Sequence, residues 1–121
     1  MRAKLLAALV AIGPALASCG LFYTDIEDYP CPPGGTDLTY GNFGGTFINV
    51  YCQSCHGSNA EDRAGAPGEF IFDTPDQAAK HKERIFARSA ADNDSMPPGP
   101  DDPSPEEREK LAEWLACGAP E

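Results

Sequence analysis

Apolar residues fall along this chain in one N-terminal run and three helical stripes. The run is Leu5 to Leu16, apolar or small throughout and broken only by Gly13-Pro14, with Arg2 and Lys4 before it. The first stripe is Gly44, Phe47, Ile48 and Tyr51, at i, i+3, i+4 and i+7, one face of a helix. The second is weaker: Ala78, His81, Lys82, Ile85 and Ser89, with Phe86 beside it. The third is Leu111, Trp114 and Leu115. These stripes predict an all-α domain of about three helices.

Start and stop signals bound each helix. The first is expected to begin near Phe43 and to end at Gly57, with Gly44 small enough to let another helix approach closely. Thr74-Pro75-Asp76-Gln77 is a capping-box start for a helix running to about Arg88. Ser104-Pro105-Glu106-Glu107 is a second such box, and Gly118-Ala119-Pro120 ends the last helix. Residues 58–73 and 90–103 read as loops. Within them, Phe70 and Phe72 are expected to line an apolar pocket, and the prolines from Pro97 to Pro105 stiffen the path after Met96. Residues 19–40 carry no sustained period and hold Pro30, Pro32, Pro33, Gly34 and Gly35. They read as an extended tether and strap ahead of a domain over residues 41–121.

The N-terminal run is too short to span a bilayer, which takes about 20 apolar residues. With its basic start it has the form of a secretory signal over residues 1–18. Leu16-Ala17-Ser18-Cys19 resembles the bacterial lipobox. That resemblance implies cleavage before Cys19, a lipid on Cys19, and a protein held on the periplasmic side of a bacterial membrane. Gly20 at the second mature position leans toward the outer membrane by the same resemblance.

Charge narrows the partners. The 121 residues carry a formal charge of −10. Losing Arg2 and Lys4 with the leader leaves seven basic and nineteen acidic residues, or −12. Such a surface excludes nucleic acid as a partner, because phosphates need a basic face. It suits solubility, and any steering would be toward a basic partner face.

Cys52-Gln53-Ser54-Cys55-His56 carries the chemistry. Thiols at i and i+3 sit on neighbouring points of one helical turn, where both can reach one edge of a flat macrocycle. The histidine that follows is carried beneath it. This is the C-x-x-C-H pattern of covalent haem attachment. Five cysteines then divide: Cys19 for lipid, Cys52 and Cys55 for haem, and Cys31 with Cys117 left to pair as a disulfide in an oxidising compartment. With His56 as one axial ligand, the candidates for the other are Met96 and His81. Met96, on a proline-stiffened loop, is favoured; a thioether favours ferrous iron and raises the potential, whereas His81 would lower it.

These landmarks together resemble the class I c-type cytochromes, monohaem and here in a lipoprotein form. The resemblance rests on Cys52-x-x-Cys55-His56, on Met96-Pro97-Pro98, and on Gly44 and Phe47 set against Leu111, Trp114 and Leu115. It implies a small cytochrome c-like fold around one haem c, with His56 and Met96 on the iron. It also implies a proline carbonyl, assigned to Pro67, accepting the histidine's Nδ1 proton. The implied function is electron transfer between redox partner proteins, not enzymatic catalysis. Two other classes stay in view. One is a haem enzyme or sensor with an open iron position. The other is a non-haem lipoprotein using Cys52 and Cys55 as a redox disulfide, or with His56 and His81 as a zinc site.

Overall fold

A computed structural model describes residues 21–121, so residues 1–18 and Cys19 lie outside the described residues. Five α-helices follow a short π-helical turn, Tyr40–Gly44: α1 Gly45–Tyr51, α2 Gln53–His56, α3 Pro75–Lys80, α4 Lys82–Ser89 and α5 Pro105–Ala116. No strand occurs among the described residues.

The helices correspond to the three stripes, with two interruptions. The first begins at Tyr40 rather than near Phe43, because Thr39 and Asn42 form a capping box. Thr39 Oγ1 accepts from the Asn42 amide at 3.1 Å, and Asn42 Oδ1 accepts from the Thr39 amide at 2.8 Å. This helix changes direction at Cys52 (φ −117°, ψ −37°), where α2 takes over. The second bends at His81 (φ −105°, ψ 15°), dividing α3 from α4. Thr74 and Ser104 cap α3 and α5 as their boxes predict.

The core is built from Phe47, Ile48, Phe72, Ile85, Phe86, Leu111, Trp114 and Leu115, all buried. Trp114 is its centre. Its ring lies so close to the π-helical turn that a Cβ on Gly44 would stand 2.5 Å from Trp114 Cζ2. Its Nε1 donates to the Pro120 carbonyl at 3.0 Å, and the same carbonyl accepts from the Tyr40 amide at 2.7 Å. The C-terminus thereby closes over the junction of the first and last helices. Tyr51 adds a second tie by donating its hydroxyl to Glu107, the acid that caps α5.

Residues 23–38 are bound to the domain along their length. The Tyr23 amide donates to Asp92 Oδ2 at 2.9 Å, and the Thr24 carbonyl accepts from Asn93 Nδ2 at 3.0 Å. Tyr23, Ile26, Tyr29 and Leu38 pack on the core. The strap then crosses one stripe of α5. Tyr29 Oη donates to Glu109 Oε2 at 2.7 Å, Thr36 Oγ1 donates to Glu113, and Cys31 is joined to Cys117 by a disulfide. Glu109, Glu113 and Cys117 recur every four residues, so the strap covers a single face of the helix.

Candidate functional site

Cys52 sits at the junction of α1 and α2 and Cys55 within α2, both partly exposed and both free thiols. They open into a cavity of about 470 Å³, within the range of small-molecule and cofactor sites. His56, Phe70, Phe72, Ile85, Met96, Pro97 and Pro98 share its walls with them. The fold therefore gathers Cys52, Cys55, His56 and Met96 around one space, although forty positions separate the two candidate ligands. Burial pushes the Cys52 thiol up to about 12, so it is protonated at neutral pH.

The His56 ring is fixed from two sides. Its Nδ1 lies 2.8 Å from the Phe70 carbonyl, and its plane stacks on Phe72 with centroids 4.7 Å apart. A carbonyl partner makes Nδ1 the proton-bearing nitrogen and leaves the Nε2 lone pair for a metal. The carbonyl is not that of Pro67. Pro67 O is taken by Arg63 Nη2 at 2.9 Å and by the Phe70 amide at 3.1 Å. The turn so formed leaves the Phe70 carbonyl against the imidazole. Arg63 Nη2 also reaches Phe70 O, at 3.4 Å.

Asp73 holds the start of this loop in place. Its carboxylate accepts from the Ser58 amide at 3.1 Å and from Gln53 Nε2 at 3.3 Å. The bonds from Ser58 hold its carboxyl below the usual carboxylate range. The Phe72 amide donates to the His56 carbonyl at 3.0 Å, which returns the loop to the end of α2.

His81 is not in the cavity wall. Its ring packs edge-on to Phe70 at 5.2 Å and lies 6.0 Å from Phe72, the ring on which His56 stacks. The set Cys52, Cys55, His56 and His81 does not converge. Among the described residues no three His, Cys, Asp or Glu side chains come together as a metal-holding group.

Met96, in the loop after α4, is 38% exposed. Its amide donates to the Arg88 carbonyl at 2.8 Å, and its carbonyl accepts from Arg108 Nη1 at 3.0 Å. The sequence reading did not single out Arg108. The signal was present: Arg108, Leu111, Ala112 and Leu115 fall at i, i+3, i+4 and i+7, which puts a cation in the apolar stripe of α5.

The donors present fit a haem: two thiols on one helical turn, an imidazole with Nε2 free, a thioether in the same cavity, and aromatic and proline walls. Arg63, Arg84 and Arg88 add cations to the lining, against one acid, Asp101. They suit a group bearing carboxylates.

The family model for cytochrome c oxidase, cbb3-type, subunit III, matches residues 44–115. The match takes in Gly44, the Cys52–His56 motif, Met96 and Trp114, and leaves out the strap and Cys117. The comparisons with curated proteins and with solved structures return no match.

Proposed function

The chain belongs to the family of cytochrome c oxidase, cbb3-type, subunit III, and on that premise we propose that it carries single electrons on one covalently attached haem. Membership makes it a c-type cytochrome with a small all-α cytochrome c-like fold. The finer reading is a monohaem carrier with His56 and Met96 on the iron. The observation that carries it is the lining of one cavity by Cys52, Cys55, His56 and Met96.

The haem iron supplies a one-electron Fe(II)/Fe(III) couple when bound. Cys52 and Cys55 would hold the ring by thioether bonds at adjacent points of one turn. The Phe70 carbonyl orients His56 and increases its basicity. Met96 offers a soft sulfur that favours the ferrous state. Arg63, Arg84 and Arg88 would face the haem carboxylates, and their charge also favours the reduced iron. With His56 and Met96 both holding the iron, no coordination site would be left open for a substrate. That is why a carrier suits this site better than a haem enzyme.

The anchoring reading places a lipid on Cys19 and the domain on the periplasmic side of a membrane, with the outer membrane favoured by Gly20. Residues 23–38 lie against the domain, so only residues 19–22 separate the lipid from the first tied residue. Four extended residues reach about 14 Å. The leash is thus short. Leu21 and Phe22, 73% and 81% exposed, sit on it next to the anchor. The partners would be redox proteins with a basic docking face, met at that same membrane surface.

The test is a purified membrane fraction. Haem that stays with the chain through acid-acetone extraction supports the reading, and haem that washes out ends it. Met96→Ala is expected to lower the reduction potential and to open the iron to imidazole. An unchanged spectrum and potential would remove Met96 as the ligand. Mass measurement of the mature chain checks the lipid on Cys19.

A further inference from the structure

Arg108 is 7% exposed and sits among the apolar residues of α5. Burying a cation is costly unless it is paired and hydrogen-bonded. Among the described residues the one ion pair is Lys110–Glu106, on the exposed side of the helix, so no carboxylate meets Arg108. Its partners are main-chain carbonyls instead. Nη1 donates to Ser89 O at 2.9 Å, Met96 O at 3.0 Å and Asn93 O at 3.1 Å.

Those three carbonyls are three points on one segment, the end of α4 and the loop that leads to Met96. Other bonds close the same segment. The Met96 amide donates to Arg88 O at 2.8 Å, and Asn93 Nδ2 donates to Phe86 O at 3.0 Å. The Ala91 amide donates to the carbonyl of Arg108 itself at 3.1 Å. Ala91 takes a φ of +50°, which a residue with a Cβ adopts only when its surroundings hold it there. The loop is thus tied to α5 by both the main chain and the side chain of one residue.

We propose that Arg108 is the positioning residue for Met96, fixing the backbone from which the thioether reaches the iron. The proposal rests on the reading of Met96 as the axial ligand. The chemistry favours arginine for this work. All three bonds fall on Nη1, whose two hydrogens are shared among the three carbonyls; the guanidinium holds that nitrogen in a rigid plane and stays charged when buried. Carbonyl oxygens satisfy the Nη1 hydrogens and leave the charge uncancelled. A looser Met96 would dissociate more often, and an added ligand would then compete for the iron.

The test compares four variants of the haem-loaded protein in the ferric and ferrous states. Arg108→Met keeps the stem and removes the donors. Its thioether-to-ferric-iron absorption band is expected to weaken, its potential to fall, and its affinity for imidazole to rise about tenfold. Arg108→Lys keeps a charge without the planar fork and is expected to fall between the two. Leu111→Ala controls for general loosening: it lowers the denaturation midpoint but leaves the band, the potential and imidazole affinity in place. An Arg108→Met protein with a native circular dichroism spectrum and wild-type values for all three overturns the proposal. So does one whose changes merely match those of Leu111→Ala. If Arg108→Met does not fold, Arg108→Lys decides by the same measures: a shift supports the clamp and wild-type values overturn it. Met96→Ala separates the two readings, because no change in that variant means that the ligand assignment failed, whatever Arg108 does.

Discussion

At the scale of single residues, position 44 shows how closely the fold is fitted. Gly44 belongs to the π-helical turn, with an ordinary helical φ of −57°. Conformational freedom is therefore not why glycine stands there. Space is the reason, since an added Cβ would meet three atoms of the Trp114 ring at 2.5–2.8 Å. The ring is fully buried and held by its bond to Pro120, so it cannot easily give way. Alanine is the better helix former by up to about 1 kcal/mol. Overpacking a tight site costs about 1–3 kcal/mol. The clash wins, and Gly44→Ala is expected to lower stability. Urea denaturation of the two proteins measures it, and an equal or higher midpoint for Gly44→Ala contradicts the account. The stripe alone made Gly44 a place of close helix approach, and the resemblance implied that the last helix comes there. The Phe70 carbonyl was not. Sequence spacing locates a proline near the histidine, but which carbonyl meets Nδ1 depends on the path of residues 63–70, where Pro67 O bonds Arg63 and the Phe70 amide instead. Arg108 was legible only as a cation in an apolar stripe, and its partners are carbonyls, which every residue carries.

Among the elements, the strap and α5 form the unit that periodicity missed. Residues 21–39 lack a period because an irregular segment bonded to a helix face needs none. Their contacts are side-chain bonds to acids that, read from sequence, belong to the solvated face of α5. Cys117 alone marked that stripe. Tyr29 is its most telling member. It packs on Tyr23 and Phe86, with centroids 5.0 and 5.8 Å away, and donates its hydroxyl to Glu109. Burial, then the bond to Glu109, push its ionisation above the usual tyrosine range. A folded-state value raised above the unfolded one means that the neutral phenol is the form the fold favours. The contribution is complete below the unfolded value of about 10 and is lost as pH rises through it. Tyr51 against Glu107 works in the same direction, with burial again the first cause. The protein is therefore expected to lose stability above about pH 10, and Tyr29→Phe to lose less of it over the same span. Parallel slopes for the two proteins would contradict this. The disulfide acts on the same strap from the unfolded side. It closes a separation of 86 residues, and its loss is expected to cost about 2–5 kcal/mol. A Cys31→Ser, Cys117→Ser double variant with an unchanged denaturation midpoint would show that the strap's other bonds suffice.

Across the whole molecule, charge is sorted by residue type. Residues 19–121 contain four arginines and three lysines among nineteen acids. Arg63, Arg84 and Arg88 line the cavity, and Arg108 holds the loop of Met96. The lysines, Lys80, Lys82 and Lys110, are not in the lining. Basic charge is thus spent at the proposed haem site, where the cofactor's carboxylates would answer it, and the remaining surface is acidic. A partner approaching from a distance meets the net negative charge, and only at contact the arginines of the cavity. Over more than a Debye length, about 10 Å at 0.1 M salt, the net charge decides the encounter. A basic redox partner should then associate faster at low salt, by ten-fold or more, and slow steadily as salt is added. An acidic partner should show the reverse slope, because salt screens its repulsion. Stopped-flow electron transfer to a basic and to an acidic soluble cytochrome, measured over a range of salt, separates the cases. Opposite slopes support steering by the whole surface. A flat response to both would mean that the acids serve solubility alone.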